Sequence, residues 1–102
     1  MENALGALAP FLDAQGRLTA FPAKNKKKLL ALWYLSSKIE AGQQYTEAQI
    51  NDLLDLWITF HDPATLRREL YNKHLLNRTA NCMQYWRENE ALSLVDFIAQ
   101  YS

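Results

Sequence analysis

The chain has 102 residues, 49% of them hydrophobic, with three Trp, five Tyr and four Phe, which is enough apolar material for one core in one domain. Eleven basic residues balance eleven acidic ones, which excludes the strongly basic character of a chain given over to nucleic acid, and the single Cys82 excludes an internal disulfide. No apolar run reaches the ~18 residues of a membrane span and no secretory leader is visible, so a soluble cytoplasmic protein without a membrane partner is expected.

One domain, residues 1–102, is expected to consist of an N-terminal extension (1–23), a core (24–87) and a C-terminal helix (88–102). Leu5, Leu8, Phe11 and Leu12 fall at helical spacing and predict a short first helix. Asp13-Ala14-Gln15-Gly16 reads as a turn, since Gly tolerates positive φ and Asp can bond the backbone ahead of it; Arg17 to Phe21 then runs extended into Pro22. The first long helix is expected over Asn25 to Ala41, with Leu29, Leu32, Trp33, Ser36 and Ile39 on a 3.6-residue period and Leu30, Tyr34 and Leu35 widening the stripe until the helix is enclosed. Gly42 ends it.

Thr46 and Gln49 have the spacing of a capping box and start a second helix. Ile50, Leu53, Leu54, Trp57 and Ile58 lie on its inner face, and Asn51, Asp52, Asp55 and Thr59 on the other. Asp62 caps a third helix, with Pro63 at its first position and His74 at its end; the short link between the two helices suits a helix-turn-helix. Leu75 to Thr79 and Cys82 to Arg87 read as a hairpin in which Asn81 supplies the positive φ of the turn. Leu92, Val95, Ile98 and Tyr101 predict a closing helix that covers the core or, alternatively, meets a second copy. The expected class is mainly α with a small β-hairpin, a winged helix-turn-helix with extra helical segments at both ends.

The zero net charge is a sum of blocks. Five lysines less Glu40 give +4 across residues 24–45, and Arg67, Arg68, Lys73, Arg78 and Arg87 less Glu69 give +4 across 63–87. Glu47, Asp52 and Asp55, Asp62, the tail residues Glu88, Glu90 and Asp96, and a net −1 before residue 24 supply the balance. On the third helix Leu66 and Leu70 point inward, while Thr65, Arg68 and Asn72 point away, flanked by Arg67 and Tyr71 on one side and Glu69 on the other. Arg68 and Asn72 are residue types that bond guanine and adenine edges bidentately, and equally the types that any solvated helix face carries. Lys26, Lys27 and Lys28 oppose the positive end of the first helix's dipole, a local conflict that a phosphate would relieve or that a solubilising helix start would leave standing. Arg78 and Arg87 could reach phosphates from the hairpin.

Phosphate loops, nucleophile elbows and His-Glu-x-x-His are absent, and His61, His74 and Cys82 have no metal-site spacing, so no catalytic residue, metal or cofactor is expected. His74 is expected on the inner side of its helix end as a structural histidine, and Cys82 as a half-buried small hydrophobe.

The residues Phe11-Leu12-Asp13, Gly16-Arg17-Leu18, Pro22, Lys26-Lys27-Lys28, Tyr45-Thr46-Glu47, Asn51, Asp62, Leu66-Arg67-Arg68-Glu69-Leu70, Leu75-Leu76-Asn77-Arg78 and Tyr85-Trp86 form a pattern that resembles the bacterial domain-of-unknown-function family 2087 over about residues 8–87. The resemblance implies a role near transcription, because members occur alone or fused behind a helix-turn-helix regulator of the arsenic-repressor type. It implies no catalytic residue. The chain departs from the pattern at the hairpin turn, where Ala80-Asn81 stands in place of Asp-Gly. Two readings remain open: a DNA-binding transcriptional regulator using Lys26, Lys27, Lys28, Thr65, Arg67, Arg68, Asn72, Arg78 and Arg87, and a protein-interaction or homodimerisation module using Tyr71, Tyr85, Trp86 or the terminal apolar segments.

Overall fold

A computed structural model describes residues 6–87 and 93–101. Leu5 and Leu92, assigned above to the first and last helices, and the acidic Glu88 and Glu90 lie outside the described residues. The described chain forms helices α1 (Asn25–Ser36), α2 (Glu47–Leu56), α3 (Pro63–Asn72) and α4 (Leu94–Tyr101), and strands β1 (Gln44–Tyr45), β2 (Leu76–Arg78) and β3 (Tyr85–Arg87). The strands make one antiparallel sheet in the order β1-β3-β2, with Arg78 opposite Tyr85, Leu76 opposite Arg87 and Tyr45 opposite Tyr85.

Both caps inferred for α2 and α3 form. The Thr46 hydroxyl accepts the Gln49 amide at 3.1 Å while Gln49 Oε1 accepts the Thr46 amide at 2.9 Å, a reciprocal box that satisfies two otherwise orphaned donors. Asp62 accepts the Thr65 amide at 3.4 Å and its hydroxyl at 2.8 Å, and Pro63 occupies the first turn without loss. Ile50, Leu54, Leu66 and Leu70 are buried where the two helices meet, beneath the fully enclosed Leu29, Leu32 and Leu35 of α1.

Several boundaries move. The first helix ends at Ser36 rather than Ala41, because Ser36 and Ser37 turn their hydroxyls onto the carbonyls of Trp33 and Tyr34 at 2.7 and 2.6 Å and the chain tightens to three-residue hydrogen bonds at Lys38 and Ile39. Ile39 is still buried, so the periodicity is obeyed by a turn instead of a helix. Of the segment expected to form the N-terminal helix, Gly6 is helical and Ala9–Phe11 forms a 3₁₀ turn, while Leu5 lies outside the described residues. The extended stretch Arg17 to Phe21 pairs only at Leu18, which bridges Leu12 on one side and Ile58 on the other. Leu8 and Leu18 are completely buried, so this segment seals the bottom of the core.

Three further expectations are corrected. The positive φ of the hairpin loop falls on Cys82 (φ 61), while the Asn81 carboxamide accepts from the Thr79 hydroxyl and the Met83 amide and thereby braces the loop from its side chain. His74 is exposed, not inward, at φ 62: α3 has ended, and the amides of His74 and Leu75 bond the carbonyls of Tyr71 and Leu70 at 3.0 and 2.9 Å. In α4 the buried residues are Leu94 and Phe97, and Val95 is 64% exposed, because the Phe97 ring packs between Trp33 and Tyr101 and sets the helix's rotation. No described helix is long and apolar enough to cross a membrane.

Candidate functional site

Four residues of α3, Arg67, Arg68, Tyr71 and Asn72, form a double stripe at i, i+4 spacing along the helix edge that faces the hairpin. The hairpin answers with Arg78 and Tyr85, which are directly opposite across β2 and β3 and so share one face of the sheet. The loop adds Cys82, and the first turn of α2 adds Glu47. Together these eight side chains line a groove of about 310 Å³.

Its charges are fixed to different degrees. Arg67 is the most constrained: only 13% exposed, it donates to Asn51 Oδ1 at 2.6 Å, lies 4.0 Å from the Glu47 carboxylate and sits over the Tyr85 ring at 5.8 Å. The Tyr85 hydroxyl donates to the same Glu47 at 3.3 Å, and burial raises the Tyr85 phenol above its ordinary pKa while the neighbouring Arg67 charge pulls the other way. Arg78 stacks on Tyr71 at 4.3 Å and donates through Nη1 to the carbonyl of Thr79 at 3.0 Å. Arg78 has no carboxylate partner among the described residues. Arg68 and Asn72 are exposed and make no hydrogen bond or ion pair among the described residues. Three guanidiniums thus face one carboxylate, leaving a formal +2 in the concavity.

The other sequence candidates are elsewhere. Thr65 has its hydroxyl committed to the Asp62 cap. Arg87 shares the sheet face of Tyr85 but at the open end of the hairpin, where it donates to the Ile39 carbonyl at 3.3 Å beside a shallow hollow formed with Gly42, Gln44 and Trp86. None of Lys26, Lys27 and Lys28 lines the groove. Lys27 lies 5.7 Å over the Phe11 ring and Lys28 5.5 Å over Phe21, so for two of the three lysines the conflict with the helix dipole is met by aromatic faces inside the protein. Asn25 beside them donates to the Tyr101 carbonyl at 3.0 Å, which ties this end of α1 to the end of α4.

Sequence reasoning missed Glu47 and Asn51 as the partners that restrain Arg67, and it missed the Arg78–Tyr71 stack. Helical spacing places Arg67 and Tyr71 on one side of α3; the hairpin contacts depend on strand register, which only the folded chain settles. His61 lies 3.4 Å from Asp55, His74 follows α3 and Cys82 sits in the hairpin loop, and among the described residues no three His, Cys, Asp or Glu side chains gather into a metal-binding group.

A family model described as an uncharacterized protein conserved in bacteria, DUF2087, matches residues 17–87, which include every side chain lining the groove. No curated protein and no solved structure gives a significant match.

Proposed function

The chain belongs to the DUF2087 family, and from that premise we infer that it is a winged-helix protein that contacts DNA, with α3 as the groove-entering helix and the β2–β3 hairpin as the wing. The element order α1-β1-α2-α3-β2-β3 and the pairing of the short β1 with the hairpin support this reading. One observation carries it: Arg68 and Asn72 stand exposed on one stripe of α3, with no hydrogen bond or ion pair among the described residues, immediately beside a hairpin whose Arg78 is held by Tyr71 and the Thr79 carbonyl. Guanidinium and carboxamide groups in that setting can bond base edges while Arg78 meets backbone phosphate. Glu47, at the helix start nearest such a backbone, is partnered by Arg67 and Tyr85, which lowers its repulsion of phosphate. No catalytic step belongs to this reading. The protein-contact alternative finds less support, since the large exposed hydrophobics among the described residues, Leu56, Met83 and Val95, sit on three separate elements and Tyr85 is buried.

The test is fluorescence anisotropy of a labelled mixed-sequence duplex with the full chain at low salt. Non-specific affinity in the range of about 1 to 100 μM is expected, weakened by Arg68→Ala and Asn72→Ala. A duplex that stays free at about 100 μM protein, or one bound equally by both variants, defeats the proposal.

A further inference from the structure

We propose that the α3–hairpin groove is also a binding site for a small phosphate monoester, a ligand class distinct from the phosphodiesters of a nucleic-acid backbone. The assignment uses the groove described above but does not require that duplex DNA bind.

Shape and charge argue for it together. A concavity of about 310 Å³ is at the lower end of small-molecule sites, which span roughly 300 to 1,000 Å³, and it suits one phosphoryl group with a compact body. Within it the Glu47 carboxylate offsets Arg67, its neighbour at 4.0 Å, so among the described residues Arg68 and Arg78 supply the uncompensated charge. Two such charges match a phosphate monoester, which carries about −1.5 to −2 near neutral pH; a diester carries a single negative charge and leaves one guanidinium unmatched. The two arginines are also differently prepared. Stacking on Tyr71 and donation to the Thr79 carbonyl hold Arg78 in place through Nη1 alone, so the rest of its planar fork is available; Arg68 is an exposed arm that can close over a bound anion. A rigid donor and a mobile one across a concavity are the elements of a two-point clamp. Because Arg68 is also the residue offered to DNA, an occupied clamp removes it from the duplex, so monoester and DNA compete.

Calorimetry of the full chain with phenyl phosphate and diphenyl phosphate tests the assignment. Phenyl phosphate is expected to bind at millimolar concentration or tighter, and at least about tenfold more tightly than the larger but singly charged diester. Arg68→Ala, a fully surface change, is expected to weaken phenyl phosphate about tenfold; Arg78→Lys, which keeps the charge and removes the fork, is also expected to weaken it, and Lys26→Ala to leave it unchanged. The assignment is overturned by equal or stronger binding of the diester, by an equal loss from Lys26→Ala, or by no heat with phenyl phosphate up to about 10 mM. If the monoester binds in this way while duplex DNA does not, the clamp stands and the DNA reading falls; if duplex binds through Arg68 and the monoester does not, the clamp falls alone.

Discussion

His74 illustrates how one backbone torsion can outweigh a side chain's chemistry. It occupies the position after the α3 cap at φ 62, and the bonds from its own amide and that of Leu75 back to Tyr71 and Leu70 form the two-bond closure in which glycine is the usual residue. Its imidazole is exposed and its Cβ bears the strain of the left-handed region, so His74→Gly should stabilise the protein by about 0.5 to 1 kcal/mol, read as a higher denaturation midpoint at constant slope. A lower midpoint would show that the ring contributes something the torsion argument omits. Asp13 makes a contrasting case, in which charge matters more than torsion. The Arg17 amide first, and then the Arg17 side chain and Gln15 amide, bond its carboxylate and lower its pKa from 3.8. A carboxyl with a depressed folded-state pKa adds stability that is fully present above its unfolded value and is lost as pH falls through the folded one. Asp13→Asn should therefore melt below the native protein at neutral pH, and the gap should close as the melts are repeated at successively lower pH below 3.8, through the depressed folded-state value. A gap that is constant with pH would assign the effect to hydrogen-bond geometry rather than to charge.

At the scale of elements, α2 depends on a closed pair of hydrogen bonds. Thr46→Ala removes the acceptor of the Gln49 amide but keeps the backbone amide that the Gln49 side chain accepts, whose geometry loosens once its reciprocal bond is gone, so it should cost about 1 kcal/mol, and adding Gln49→Ala should cost less than it does alone. Additive losses in chemical denaturation would show that the two bonds do not act as a unit. The same element shows what a sequence can reveal. Caps and amphipathic faces are local, so the starts of α2 and α3 and the inward turn of Ile50, Leu54, Leu66 and Leu70 were legible from residue spacing. Three features were not. The end of α1 depended on whether Ser36 and Ser37 would take carbonyls from the helix, a competition that spacing does not decide. The strand Gln44–Tyr45 has two residues and no alternation of its own; it exists because β3, about forty residues later, offers an edge. The rotation of α4 was set by Phe97 against Trp33 of α1, a contact between residues far apart in sequence. The candidate groove was legible in the same uneven way: Arg68 and Asn72 followed from helical geometry, whereas the placement of Arg78 over Tyr71 and of Arg87 against Ile39 required the hairpin's register.

Across the whole molecule, the segregated charge of the chain resolves into two basic regions that do different work. In the first, Lys27 and Lys28 rest on Phe11 and Phe21 and join α1 to the N-terminal segment, while the neutral Asn25 beside them ties it to Tyr101 of α4. In the second, Arg68 and Arg78 border the concavity without a carboxylate partner among the described residues. Counterion release turns this division into a measurable number, since log affinity for duplex DNA falls by about 0.9 per decade of salt for each phosphate neutralised. Docking through the groove alone engages two cations and predicts a slope of about −2, whereas docking that adds Lys26, Lys27 and Lys28 predicts between about −4 and −5. The shallow slope is expected on a mixed-sequence duplex, where Arg68 rests on phosphate in place of a base edge, reduced by about 1 in Arg68→Ala and unchanged when the three lysines are replaced together by glutamine. The lysine variant should instead lower the thermal midpoint, because losing each ring contact costs on the order of 0.5 kcal/mol. A steep slope that the lysine variant flattens would relocate the DNA-facing surface to the start of α1 and leave the arginine groove to its smaller anion.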